Sequence, residues 1–126
     1  MISIKAEMGT HCAFNLFAEG HAGAERNEND HDLVCCAVST IMGVLANSCA
    51  MIEDVNTVYH THSGYALVTV TRIPDDLWAE INSRFQMALD GLEALSAQYP
   101  TCIKVTAPCI VHPRSTHIME RPPIRQ

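Results

Sequence analysis

The sequence predicts an α+β two-layer sandwich, a mainly antiparallel sheet with two helices on one face, in the order β-β-α-β-β-α-β. Three observations predict it. Short segments alternate apolar and polar residues with period two. Two long segments carry helical spacing instead. Hairpins and helices take turns along the chain, so strand pairs are separated by helices. The 126 residues are 48% hydrophobic and 17% charged, enough apolar material for the core of one domain.

The elements follow in order. In Ile2–Glu7, the residues Ile2, Ile4 and Ala6 share one face, and Ser3, Lys5 and Glu7 the other. Ala13–Glu19 alternates Phe14, Leu16 and Ala18 against Asn15 and Glu19, with Phe17 out of pattern. Gly9-Thr10 supplies a turn between them. Residues 20–31 read as a polar loop. Leu33–Ala50 is the first helix, with Asp32 as its expected N-cap. It is apolar on nearly every face, which predicts a central, buried helix. The apolar stretch Leu33–Ile52 reaches membrane-span length, but Ser39, Thr40, Asn47 and Ser48 interrupt the helix. Gly43 inside it is expected to mark close approach of another backbone. Thr57–His62 and Tyr65–Ile73 form a second hairpin around Ser63-Gly64. Pro74 stops that strand, and Asp75 is expected to cap a second helix running to Tyr99. Leu77, Ile81, Phe85, Ala88, Leu92, Leu95 and Tyr99 make its apolar stripe, with Trp78 and Leu89 at the edge. Cys102–Thr106 is a last strand. The domain is expected over 1–107, and 108–126 as an irregular tail containing Pro and Arg.

Formal net charge is −6, concentrated in the first half: residues 1–63 hold 8 acids and 2 bases, and residues 64–126 hold 6 of each. That balance argues against nucleic-acid binding, and Arg114, Arg121 and Arg125 are too sparse to reverse it. No glycine-rich loop suggests a flavin, nicotinamide or nucleotide, and no cofactor is expected. His60-x-His62 puts two imidazoles on one strand face, with His11, Cys12, His21 and His31 elsewhere, but no zinc spacing emerges. The six cysteines include no C-x-x-C pair, and residues 1–8 do not read as a secretory signal. A cytoplasmic protein with free thiols, not attached to a membrane, is expected.

The chemistry concentrates in two short runs. Glu19-Gly20-His21-Ala22 ends a strand, and Asp32-Leu33-Val34-Cys35-Cys36-Ala37-Val38-Ser39 opens a helix. With Asp32 as N-cap, Cys35 falls in the first turn, where free amides and the helix dipole favour an anionic sulfur. The intervening loop is long enough to double back, so His21 and Cys35 can meet. A cysteine beside a histidine at a helix start is the minimal apparatus of a cysteine hydrolase. Amides in that turn are positioned for an oxyanion. Ser39 lies one turn beyond Cys35 and either faces the sulfur or bonds back to the helix. Asp32 either caps the helix or also orients the histidine. On the residues alone, two core thiols and a loop histidine account for the same pattern. A non-catalytic binding protein and a redox sensor using Cys35 and Cys36 stand beside the enzyme.

Gly20-His21-Ala22, followed by Asp32-Leu33-Val34-Cys35-x-Ala37-Val38-Ser39, resembles the signature of the ribosomal-processing cysteine protease family, Prp. The likeness continues through Gly64-Tyr65-Ala66-Leu67 and Ile73-Pro74. It implies a cysteine endopeptidase that trims the N-terminal extension of a large-subunit ribosomal protein. It implies Cys35 as nucleophile, His21 as base and acid, Asp32 and Ser39 as accompanying residues, and a homodimer of a small α+β domain. Gly20, Ala22, Glu25, Glu28 and Asp30 are then expected to contact substrate. Asp30 replaces a glycine usual in the family, and the loop is longer and more acidic. An acidic loop attracts a basic ribosomal tail.

Overall fold

The structure is a computed structural model that describes residues 1–10, 13–21, 28–106, 110–111 and 118–119. Its elements are β1 (Ile2–Thr10), β2 (Ala13–Glu19), α1 (Glu28–Ala50), β3 (Asn56–His62), β4 (Tyr65–Thr71), α2 (Asp75–Gln98) and β5 (Ile103–Thr106). The expected α+β order is therefore present. Two short strands follow, β6 (Ile110–Val111) and β7 (Ile118–Met119), paired with each other.

The five main strands lie in the order β3-β4-β2-β1-β5. All pairs are antiparallel except β1 with β5, and α2 carries the chain from β4 across the sheet to β5 beside β1. Alternation decides which face meets the helices. Ile2, Ile4, Ala6 and Met8 are buried, as are Phe14, Leu16 and Ala18, then Ala66, Val68 and Val70. The helices return Val34, Val38, Met42 and Leu45 from α1, with Trp78, Ile81, Phe85 and Leu92 from α2. Phe14 sits at the centre, its ring 5.5 Å from Trp78 and 5.2 Å from Phe85. The opposite face is polar: Thr69 Oγ1 donates to Asn15 Oδ1 at 2.8 Å, and Asn15 Nδ2 donates to Glu7 at 3.3 Å.

Four expectations change. Helix α1 begins at Glu28, so Asp32 is not its N-cap and the loop after β2 is shorter than predicted. The reason is that Glu28-Asn29-Asp30-His31 continues the helix toward its N-terminus. Acidic residues suit a helix start, which is the positive end of the dipole. Second, α1 is buried along one face only; Leu33 and Val44 are 59% and 63% exposed. A two-layer fold has no third layer to cover its outer side. Third, among the described residues Gly43 meets no other backbone: the one atom near a Cβ there is the Tyr59 hydroxyl oxygen, at 3.9 Å. Fourth, the N-cap of α2 is Pro74 with no side-chain capping bond, and Asp75 is the first helical residue.

The two helices are tied by Arg84. Its guanidinium donates to the Ser48 carbonyl at 2.6 Å and to Glu80 at 2.9 Å. No basic residue lies in the last turn of α1, so α2 supplies the positive charge that its carbonyl end lacks. Of the four described cysteines, all free, Cys49 and Cys102 are buried as plain core thiols. Burial pushes the Cys49 thiol up, against the lowering effects of Ser48 and Arg84.

The Phe14–Phe85–Trp78 cluster generates a stability prediction. Phe85→Ala should lower the unfolding free energy by about 3–5 kcal/mol, measured by urea denaturation. A loss below about 1 kcal/mol would show that the aromatic cluster does not anchor α2.

Candidate active site

The end of β2, the β3–β4 turn and α1 enclose a cleft of about 230 Å³. Ile2, Ala18, Val38 and Ala66 form an apolar floor. His21, Cys35, Ser39 and His62 line it with polar atoms. Fourteen positions and a helix start separate His21 from Cys35 in the chain, and the fold brings both to this one hollow.

Two glycines position the imidazole. Gly20 has φ of 108° and Gly64 has φ of 75°, both in the left-handed region. The Gly20 amide donates to the Gly64 carbonyl at 2.8 Å, fastening the end of β2 to the β3–β4 turn. A Cβ on Gly20 would collide with the Met1 carbonyl oxygen. A Cβ on Gly64 would lie 2.8 Å from His21 Nε2. The absent side chain is therefore the space in which the His21 ring sits. Neither His21 nitrogen is hydrogen-bonded to a described residue, and His21 remains exposed at the rim.

Helix α1 positions the thiol. Cys35 is half-buried, and Ser39, one turn on, is exposed on the same side of the helix. The register places position 32 on that face too, three residues before Cys35. Cys36 points away and is exposed, so it is not a core thiol. Because α1 starts at Glu28, Cys35 lies about two turns inside the helix. Its amide is used in the helical ladder, and the dipole effect fades within the first turn. The expected cradle of free amides at Cys35 is absent. Among the described residues the Ser39 hydroxyl, which lines the same cleft, has no hydrogen-bond partner, whereas the neighbouring Thr40 hydroxyl is spent on the Cys36 carbonyl at 2.8 Å.

Matched over residues 1–104, the family model described as cysteine protease Prp covers most of the chain. The chain belongs to the Prp cysteine protease family. It is a cysteine protease by that membership. The fold agrees. A Prp structure from S. aureus with a covalently linked product peptide superposes with TM-score 0.65 at 17% identity, over 86% of this chain and 100% of that one. The S. aureus Prp with a substrate peptide gives 0.65 at 18%, over 86% and 100%. SMU.848 from Streptococcus mutans gives 0.60 at 20%, over 85% and 93%. At such identities the likeness is one of fold. No curated protein sequence shows a significant match.

Within this Prp domain, the cleft contains Gly20, His21, Cys35 and Ser39 of the residues singled out from sequence. Ala22 and Glu25 lie outside the described residues. Glu28, Asp30 and Asp32 belong to the first turns of α1 rather than to a loop. The sequence reading missed the β3–β4 turn as a wall. His62 stacks on Tyr65 with ring centroids 4.8 Å apart and planes 8° apart, and its Nδ1–H donates to the Ser63 carbonyl at 3.2 Å. The available signal was the hairpin itself, because Ser63-Gly64 places His62 beside whatever packs on the turn. His60 and His62 are both exposed on β3, and among the described residues no group of three or more His, Cys, Asp or Glu is arranged to hold a metal.

Gly64→Ala tests the seat of the imidazole. Its new methyl must displace His21, and the residue must hold a left-handed φ. The expected outcome is about 1–3 kcal/mol of lost stability in denaturant titration, together with reduced proteolysis at a temperature where the variant is fully folded. Full activity in a folded variant would show that the ring does not depend on this contact.

Proposed function

We propose that Cys35 is the nucleophile and His21 the base and acid of an endopeptidase that trims the N-terminal extension of a large-subunit ribosomal protein. The observation that carries this reading is the single cleft shared by the half-buried thiol and the imidazole. The Prp structures with linked product and substrate peptides support it through their common fold.

The steps follow from the chemistry of the pair. His21 takes the Cys35 proton, leaving a thiolate beside an imidazolium. The sulfur attacks the scissile carbonyl carbon, a C–S bond forms, and the carbonyl oxygen becomes an oxyanion. The Ser39 hydroxyl donates to that oxyanion, replacing the amides that helix α1 has already used. His21 then protonates the departing amine as the C–N bond breaks, leaving a thioester on Cys35. Water attacks the thioester and gives its proton to His21. The carboxylate product leaves, and the thiol is restored. Asp32, on the same helix face as Cys35, steers the imidazole. Gly20 contributes to the substrate side of the cleft through its backbone. Glu25, Glu28 and Asp30 attract a basic peptide toward the cleft, and Ala22 joins Gly20 as a substrate contact.

The protein acts in the cytoplasm as a homodimer. The groove between α1 and α2, lined by Ile41, Val44, Leu45, Met87 and Gly91, is apolar, and Met87 is 74% exposed. A second copy of the chain is its proposed occupant.

Two measurements check these statements. Incubation with the extended ribosomal protein of the same source should give one trimmed product by mass. Cys35→Ala and His21→Ala should abolish the cut with the fold intact, whereas exposed Cys36→Ala should retain it. Cleavage by either of the first two variants overturns the assignment. In sedimentation, the native chain should run at twice its 13.9 kDa and Met87→Asp at the monomer mass. Unchanged sedimentation of that variant removes the α1–α2 groove as the interface.

A further inference from the structure

The cleft does not end at Ser39. A second hollow, of about 490 Å³, begins at that residue and runs along α1 past Gly43, Val44 and Asn47, with Thr57 and Tyr59 of β3 opposite. The two hollows share Ser39, and Thr61 and His62 of β3 line the first. One furrow thus follows strand β3 from its far end to the cysteine. Seven residues of strand span about 23 Å.

Among the described residues β3 is an edge strand, paired with β4 on one side. The two-residue turn closes on His62 opposite Tyr65, which makes that a hydrogen-bonded pair. Antiparallel alternation then makes His60–Leu67, Val58–Thr69 and Asn56–Thr71 hydrogen-bonded pairs as well. The backbone N–H and C=O groups of Thr57, Tyr59 and Thr61 therefore point away from β4, along the open edge of the sheet that borders the furrow. Their side chains lie on the helix side, opposite Val70, Val68 and Ala66, whose side chains are buried there. Free edges are usually blunted by proline, charge or a bulge. Asn56–His62 has no proline, no Lys, Arg, Asp or Glu, and no register shift. Gly43 keeps the helix wall low, and Thr57 Oγ1 is enclosed in the furrow without a hydrogen-bond partner.

We propose that the outer edge of β3 binds the substrate polypeptide as an added strand, using the outward backbone groups of Thr57, Tyr59 and Thr61. This rests on the protease reading above and adds how the peptide is held. The occupant is an extended segment of the chain to be cut, because the furrow is continuous with the cleft that holds Cys35 and His21. Main-chain pairing supplies affinity with little demand on sequence, and alternate side chains meet the small residues of α1.

The test uses full-length Cys35→Ala protein, labelled for residue-resolved amide exchange, and a synthetic peptide of the ribosomal protein's N-terminal extension. Saturating peptide should slow exchange at Thr57, Tyr59 and Thr61 by about tenfold or more, while Val58, His60 and His62, already paired, change little. In the native enzyme, Tyr59→Pro removes an outward N–H but no ladder bond, and should raise KM about fivefold to tenfold. If that variant fails to fold, the exchange experiment stands without it. Peptide binding and cleavage with those three amides unprotected overturns the edge as the docking site. Protection that depends on protein concentration without peptide also overturns it, in favour of a second copy of this chain. Absence of both binding and cleavage instead removes the protease substrate, and the occupant with it.

Discussion

The hydrogen bond from the Gly20 amide to the Gly64 carbonyl is the constraint on which the site depends. It joins the end of β2 to the turn between β3 and β4, two places 44 positions apart in sequence. Both residues hold backbone angles that a side chain resists, and both have a neighbour occupying the space a Cβ would need. At Gly64 that neighbour is the His21 ring. Replacing either glycine therefore changes more than local strain: it changes where the imidazole lies relative to α1. In the sheet beneath, Ala18 is paired with Ala66 and both are buried, so the contact is held from below.

The cysteine depends on a different kind of support. A helix start would lend its free amides and dipole to a sulfur. Cys35 lies too far inside α1 for either to help much. In the proposed reaction the thiolate then relies on its imidazole partner, and the oxyanion on the Ser39 hydroxyl. Helical register makes this workable, because positions 32, 35 and 39 lie on one face. Membership in the Prp family and a cleft lined by a thiol and an imidazole thus agree on the class of chemistry.

The two-layer architecture accounts for the surfaces left open. With helices on one face only, the sheet's other face takes a polar network through Glu7, Asn15 and Thr69. Among the described residues, the outer side of α1 leaves Leu33 and Val44 exposed, and β3 has no strand partner on its outer edge. A membrane-span length in Leu33–Ala50 coexists with Val34, Val38, Met42, Leu45 and Cys49 buried against the sheet and α2. Length and apolarity alone do not separate a core helix from a spanning one.

The element order, the sheet face that turns inward, and the two short runs whose His21 and Cys35 line one cleft were legible in the sequence, because each is written in local signals. Alternation in Ile2–Met8 and Val68–Val70, the Ser63-Gly64 turn and Pro74 need no knowledge of distant residues. The true start of α1 was not legible. Asp32 is a good capping residue, and only competition with the equally suitable acidic turn before it decides which one the helix uses. Nor was the cleft wall legible, since His62, Gly64 and Tyr65 acquire meaning only when β4 pairs with β2. Tertiary structure decided those points because strand pairing, not local propensity, sets which distant segments touch.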